Sequence, residues 1–127
     1  MPATVLIVDD SKLARIVAGK ALAELQPEWQ KVEASSAAEA HDVIGGRDID
    51  VVLIDFNMAD KDGLELAAEL RALRPDMPLA IITANIQDEI VARAREIGAA
   101  FVAKPVTAES LESFLSGAAL RLRPTRA

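Results

Sequence analysis

Three carboxylates close two apolar runs. Val5-Leu6-Ile7-Val8 runs into Asp9-Asp10, and Val51-Val52-Leu53-Ile54 runs into Asp55. Two buried strands that end in acid put negative charge at one edge of a sheet. At ~5 Å and an effective dielectric of ~20, two such carboxylates repel by about 3 kcal/mol. A third raises the cost. Either one carboxylate keeps a proton or a divalent cation neutralises the set. Hard oxygen donors favour Mg²⁺, which retains waters and bridges to phosphate oxygens. Phosphoryl chemistry is therefore the first hypothesis. The plainer alternative is that Asp9 and Asp10, with Ser11, cap the helix that follows.

Two further apolar runs end in polar residues of other types. Leu79–Ile82 leads into Thr83-Ala84, and Ala100–Ala103 leads into Lys104-Pro105. An ammonium pairs with a carboxylate or a phosphate oxygen, and a threonine hydroxyl donates to the same oxygen. Singly, the threonine reads as turn chemistry and the lysine as a solvated charge. Their arrival at successive strand ends carries the weight.

The elements that must position these residues alternate along the chain. Thr4–Val8, Gln30–Ala34, Val51–Ile54, Leu79–Ile82 and Ala100–Ala103 read as strands, the second being the weakest. Between them lie helical patterns. Lys12–Leu25 places Leu13, Ile16, Val17 and Ala21 on one face. Ser36-Ala37-Ala38-Glu39 is a capping box that opens a helix to Ile44, with Gly45-Gly46 as its stop. Gly63–Leu73 aligns Leu66, Leu70 and Leu73. Asp88 is a capping residue for a helix through Ile97, with Ile90, Ala94 and Ile97 inward and Gly98 closing it. Thr107 caps a last helix reaching about Leu120. Continuous apolar strands alternating with helices imply a parallel sheet covered on both faces. Ligands of such sheets bind at the carboxyl ends of the strands, where the acids sit.

Composition narrows the options. The 127 residues fit one domain, and 51% are hydrophobic, enough for a sizeable core. A net charge of −6 argues against sequence-independent binding to nucleic acid or to anionic membrane. There is no cysteine, which excludes disulfides and thiolate chemistry, and one histidine, His41, excludes a histidine-rich metal site. No signal sequence or membrane-spanning run is evident. The expectation is a cytoplasmic protein. His41 reads as a surface residue and Trp29 as a packing anchor. Arg121-Leu122-Arg123-Pro124-Thr125-Arg126-Ala127 reads as a basic, frayed tail.

The chain resembles the receiver domains of two-component response regulators, above all the single-domain members of the chemotaxis type. The resemblance covers roughly Thr4 to Leu120. Its motifs are Val5-Leu6-Ile7-Val8-Asp9-Asp10-Ser11, Asp55-Phe56-Asn57-Met58 with Gly63, Thr83-Ala84 and Lys104-Pro105. It implies a receiver domain over residues 1–122 followed by a short tail over 123–127. The fold implied is a three-layer, flavodoxin-like, doubly wound sheet of five parallel strands, ordered 2-1-3-4-5, with five helices. Asp55 is then the phosphoacceptor, taking a phosphoryl group from a sensor histidine kinase or a histidine phosphotransfer protein. Asp9, Asp10, Asp55 and the backbone carbonyl of Asn57 hold Mg²⁺. Lys104 pairs with the incoming phosphoryl oxygens, Thr83 is drawn toward them, and Phe101 is the aromatic switch residue. A downstream target protein docks on about residues 88–120. A monomer or weak dimer is implied, with no direct nucleic-acid binding and no membrane insertion. The module promotes its own phosphorylation and dephosphorylation without being an enzyme in the usual sense.

The chain departs from the family pattern at a few places. Ala59 stands where proline is common, which is expected to loosen the loop before Gly63 and to leave the chemistry untouched. Phe101 lacks a hydroxyl, and a simple core phenylalanine is the competing reading. Asn57 and Asn85, two residues past Asp55 and Thr83, are small and polar, which suggests a short-lived phosphoryl state. Three other functions compete: a Mg²⁺-dependent phosphatase or phosphotransferase on a similar sheet, a phosphorylation-independent docking module, and an excised receiver of a longer protein. The enzymes usually need a substrate-covering cap, for which this chain has little room.

Overall fold

In chain order the elements are β1 (Thr4–Val8), α1 (Lys12–Leu25), β2 (Gln30–Ala34), α2 (Ala37–Gly46), β3 (Val51–Asp55), α3 (Gly63–Leu73), β4 (Leu79–Thr83), α4 (Asp88–Glu96), β5 (Ala100–Ala103) and α5 (Ala108–Arg126). The computed structural model describes residues 3–84 and 87–126, with side chains as far as residue 120. The strands form one parallel sheet ordered β2-β1-β3-β4-β5. This is the flavodoxin-like, doubly wound arrangement expected from the sequence.

Successive strand residues point to opposite faces, and both faces are covered. Val5, Ile7, Leu53 and Ile82 meet Ala18 and Leu22 of α1 and Leu111 and Leu115 of α5. Leu6, Val8, Ile54 and Ile81 meet Ile44 of α2, Leu66 and Leu70 of α3, and Ile90 and Ala94 of α4. Both neighbours of each central-strand residue are therefore apolar, and the sequence shows runs rather than alternation. Full burial of a leucine such as Leu66 or Leu70 contributes ~1.5–3 kcal/mol over leaving it in water. β2 lies at the sheet edge with Gln30 and Lys31 exposed, which explains its weaker pattern.

Several local expectations need correction. In α1 the buried residues are Ala18, Ala21 and Leu22, while Leu13 is 71% exposed and Ile16 and Val17 are also exposed. Ala18 and Ala21 let α1 approach closely and Leu22 fills the core beside them, while Leu13, Ile16 and Val17 in the first half of the helix face outward. Leu73, at the end of α3, is exposed as well. Gly45 and Gly46 lie inside the last turn of α2, which ends at Arg47 with its N–H on Val43 O (2.9 Å). Neither glycine needs left-handed backbone; among the described residues only Gly98, which closes α4 as expected, has it (φ 69°). Asp88 begins α4 rather than capping it: Gln87 precedes the helix and makes no side-chain cap bond. The Thr107 cap is present and reciprocal. Thr107 N–H donates to Ser110 Oγ (2.8 Å) and Ser110 N–H to Thr107 Oγ1 (3.0 Å). The backbone of α5 continues to Arg126, beyond the end expected near Leu120, so the basic segment begins within the helix.

At the end of the sheet where the strands begin, Arg71 of α3 ties two turns together. Its guanidinium donates to the carbonyls of Arg74, Pro75 and Met77 and to those of Ile97 and Gly98, at 2.7–3.2 Å. One side chain thus satisfies carbonyls at the ends of both α3 and α4, a task suited to a planar fork of donors. Trp29 packs, partly buried, against the core beneath α1, as expected of an anchor. His41 is half-buried rather than a plain surface residue. Its Nε2 lies 2.6 Å from Glu69 Oε1, and the other Glu69 oxygen pairs with Lys61.

Glu33 on β2 accepts from Arg15 Nε (2.8 Å) and pairs with Lys31 Nζ (3.2 Å). The Arg15 hydrogen bond outweighs desolvation and, with Lys31, holds the Glu33 carboxyl below its ordinary value. A depressed folded-state value means stability that is complete above the unfolded-chain value of 4.5 and is lost as pH falls through the lower folded value. Glu33→Gln is expected to flatten this acid limb of a urea-midpoint-against-pH curve. An unchanged curve would show the pair to be energetically idle, as many exposed pairs are.

Candidate functional site

The strand register aligns the chemistry-bearing residues. Val8 pairs with Ile54, so Asp9 and Asp55 leave neighbouring strands at one level. Asp55 pairs with Ile82, and Thr83 with Ala103, which brings Thr83 and Lys104 to the same edge. Lys104 N–H donates to Thr83 O (3.0 Å). Asp9, Asp55 and Thr83 are buried, at 6%, 3% and 2% exposure, and Asp10 is exposed. One carboxylate oxygen from each of Asp9, Asp10 and Asp55 lies within 4.8 Å of the others. This is a set of hard oxygen donors of the kind that suits Mg²⁺.

Lys104 Nζ is 2.7 Å from Asp55 Oδ1. The approach is off the hydrogen-bond direction, so this buried oxygen has a charge partner but no well-directed donor. Asp9 Oδ1 accepts from Ser11 N–H (2.9 Å), while Ser11 Oγ caps α1 by accepting from Ala14 N–H (3.2 Å). Asp10 Oδ2 accepts from Ala59 N–H (3.1 Å). Ser11 is thus the α1 cap, and neither acid is spent on that helix.

Electrostatics follow from the crowding. Burial pushes the Asp9 carboxyl up; the Ser11 hydrogen bond opposes this, and the charges of Asp55 and Asp10 add to the rise. Desolvation alone lowers Lys104, but the close approach and charge of the Asp55 carboxylate, with Asp9 and Asp10 behind, leave it raised. Lys104 therefore stays an ammonium at neutral pH.

Gly63 fits α3 against the end of β3. A Cβ there lies 2.5 Å from Asp55 O and 2.9 Å from Phe56 Cα, and Gly63 N–H donates to Phe56 O (2.8 Å). Asp62 caps α3 by accepting from Glu65 N–H (2.9 Å). Asn57 lies exposed in the same loop. Phe101 is partly buried against the core on the α4 side. Asn85 lies outside the described residues. A cavity of about 240 Å³ opens beside Lys104, rimmed by Leu13, Val17, Pro105 and Val106.

Sequence reasoning missed three supports. Arg15 Nη1 donates to Asp9 O (2.7 Å), fixing the strand end from behind. Its spacing of one helical turn past Ser11 was the available signal. Asp60 accepts from Ala37 and Ala38 N–H (3.2 Å each), and Ala59 lends its amide to Asp10; neither leaves a local mark in the sequence.

Known proteins place this geometry. The family model described as the response regulator receiver domain matches residues 5–116. The sensor histidine kinase RcsC of Salmonella typhi is 35% identical over 124 residues, which are 97% of this chain and 13% of that protein. The phosphate regulon transcriptional regulatory protein PhoB of Pseudomonas aeruginosa is 31% identical over 95% of this chain and 53% of its own length. The chain thus spans only part of these relatives. Among solved structures, the chemotaxis protein CheY4 of Vibrio cholerae superposes with a TM-score of 0.84 at 25% identity, covering 93% of this chain and 99% of that one. A CheY-like receiver domain protein of Methanospirillum hungatei JF-1 shares the fold at a TM-score of 0.86 and 24% identity, covering 98% and 99%. A match that begins in β1 and ends in α5 takes in every strand that carries a site residue, and the chain accordingly belongs to the response regulator receiver domains of two-component systems.

Proposed function

We propose that Asp55 accepts a phosphoryl group from a phosphohistidine on a sensor kinase or histidine phosphotransfer protein. An Asp55 carboxylate oxygen forms the new P–O bond as the donor's P–N bond breaks, and the leaving electron pair stays on the imidazole. The observation that carries this reading is the buried Asp55 carboxylate set between two other acids and the Lys104 ammonium. Transfer of this kind depends on in-line positioning and on neutral surroundings for the equatorial oxygens. Lys104 supplies one positive charge, and Thr83 supplies a hydroxyl to the arriving group. Asp9, Asp10, Asp55 and the Asn57 carbonyl would hold Mg²⁺. When bound, the ion offsets the carboxylate charge and draws phosphoryl oxygens into the site.

The added phosphoryl charge of about −1.5 to −2 biases the packed face between two arrangements. Thr83 moves toward it, Phe101 turns inward, and residues 88–120 present the altered face to a target protein. Asn57 is small and exposed beside the acceptor, which favours water access and a short-lived phosphoryl state. Among the described residues no helix is long and apolar enough to cross a membrane, in keeping with action in the cytoplasm through protein contacts.

Mg²⁺ is expected to raise the thermal midpoint. At ten times its dissociation constant a ligand of the native state contributes about 1.4 kcal/mol. Asp9→Asn is expected to melt higher than wild type without metal, through relief of charge repulsion, and to lose the Mg²⁺ response. Scanning calorimetry with and without Mg²⁺ tests both; a wild-type midpoint indifferent to millimolar Mg²⁺ sinks the metal reading.

A further inference from the structure

We infer that Ala59 is a positioning residue for the metal site: its backbone N–H holds Asp10 in the orientation from which a divalent cation is bound. The inference rests on the Mg²⁺ reading above. Asp9 and Asp55 are fixed by burial, but Asp10 is exposed, and an exposed aspartate samples several rotamers. Here Asp10 Oδ2 accepts from Ala59 N–H (3.1 Å), across 49 positions of sequence. A carboxylate accepts at about four lone-pair positions, so one N–H leaves the remainder free for a cation. The same N–H offsets part of the repulsion among three carboxylates within 4.8 Å before any cation arrives.

The amide can serve because its own loop is fastened. The next residue, Asp60, spans to the first turn of α2 by accepting from Ala37 and Ala38 N–H (3.2 Å each). Asp62 caps α3, and Gly63 is bonded back to Phe56 O. The loop is thus fastened at several points although position 59 carries no proline. Proline has no N–H, so the bond to Asp10 exists only because position 59 is another residue. A substitution that looks remote from the chemistry thus reaches the metal site through the main chain.

Mg²⁺ titration by isothermal calorimetry on wild type, Ala59→Pro and Ala59→Ser tests the inference. Ala59→Pro is expected to bind Mg²⁺ roughly three- to tenfold more weakly, the usual scale for ordering one free side chain. Ala59→Ser, which keeps the N–H, is expected to match wild type. Equal affinity in wild type and Ala59→Pro overturns the inference and leaves the Mg²⁺ reading standing. No binding by wild type overturns both. Amide hydrogen exchange in the metal-free protein is a second readout that does not require the proline variant to fold. The Ala59 amide is expected to be protected in wild type and to lose protection in Asp10→Ala; equal exchange in the two proteins overturns the inference.

Discussion

Asp55→Asn is expected to take up no phosphoryl group from acetyl phosphate and Mg²⁺ under conditions in which the wild type takes up one per chain. The asparagine side chain keeps the shape of the carboxylate but has no anionic oxygen with which to attack phosphorus. Loss of a nucleophile costs at least ~10³-fold in rate in characterised covalent catalysts. The surroundings supply no substitute of equal standing: Asp10 is exposed, and Asp9 is turned toward the Ser11 amide. Intact-mass spectrometry reads the outcome directly, and a circular dichroism melt confirms that the variant folds. A label that persists in Asp55→Asn would place the acceptor elsewhere and remove the main support for the assigned mechanism.

Gly63→Ala is expected to destabilise the fold by about 3 kcal/mol, at the upper end of ordinary overpacking costs. The added methyl would sit 2.5 Å from Asp55 O and 2.9 Å from Phe56 Cα. Both are backbone atoms of the strand end, so no flexible side chain is available to yield. Relief requires α3 to withdraw from β3, which strains the Gly63–Phe56 hydrogen bond and the packing of Leu64 and Leu66. For a chain of this length the loss corresponds to a fall of roughly 10 °C in thermal midpoint. Phosphorylation rate is expected to fall as well, because the shift displaces Asp55 itself. A midpoint within about 1 °C of wild type would show that α3 can move without cost.

The parts of the fold that were legible in sequence are those with a one-dimensional signature. The central strands are buried on both faces, so Val5–Val8 and Val51–Ile54 read as apolar runs, and the acids that end them were visible as a charge problem. The same logic placed Thr83 and Lys104 at the shared edge. α1 misled because periodicity marks apolar residues and not buried ones: the helix packs through Ala18, Ala21 and Leu22, leaving Leu13 and Val17 on the rim of the site. Gly45 and Gly46 misled because glycine permits a helix stop without requiring one. Arg15, Ala59, Asp60 and Arg71 each make a bond in which one partner is a backbone atom, several across more than 20 positions, and such bonds leave no spacing to find.

Arg71 bears on how α4 can move. Its guanidinium grips the carbonyls of Ile97 and Gly98 just past the last turn of α4, at the end of the sheet farthest from the acids, while the opposite end of that helix starts behind Gln87 with no side-chain cap. A helix tied by side-chain bonds at one end resists sliding as a body. If α4 swings, Arg71 is therefore expected to be its pivot, with the larger displacement at the end nearest Thr83.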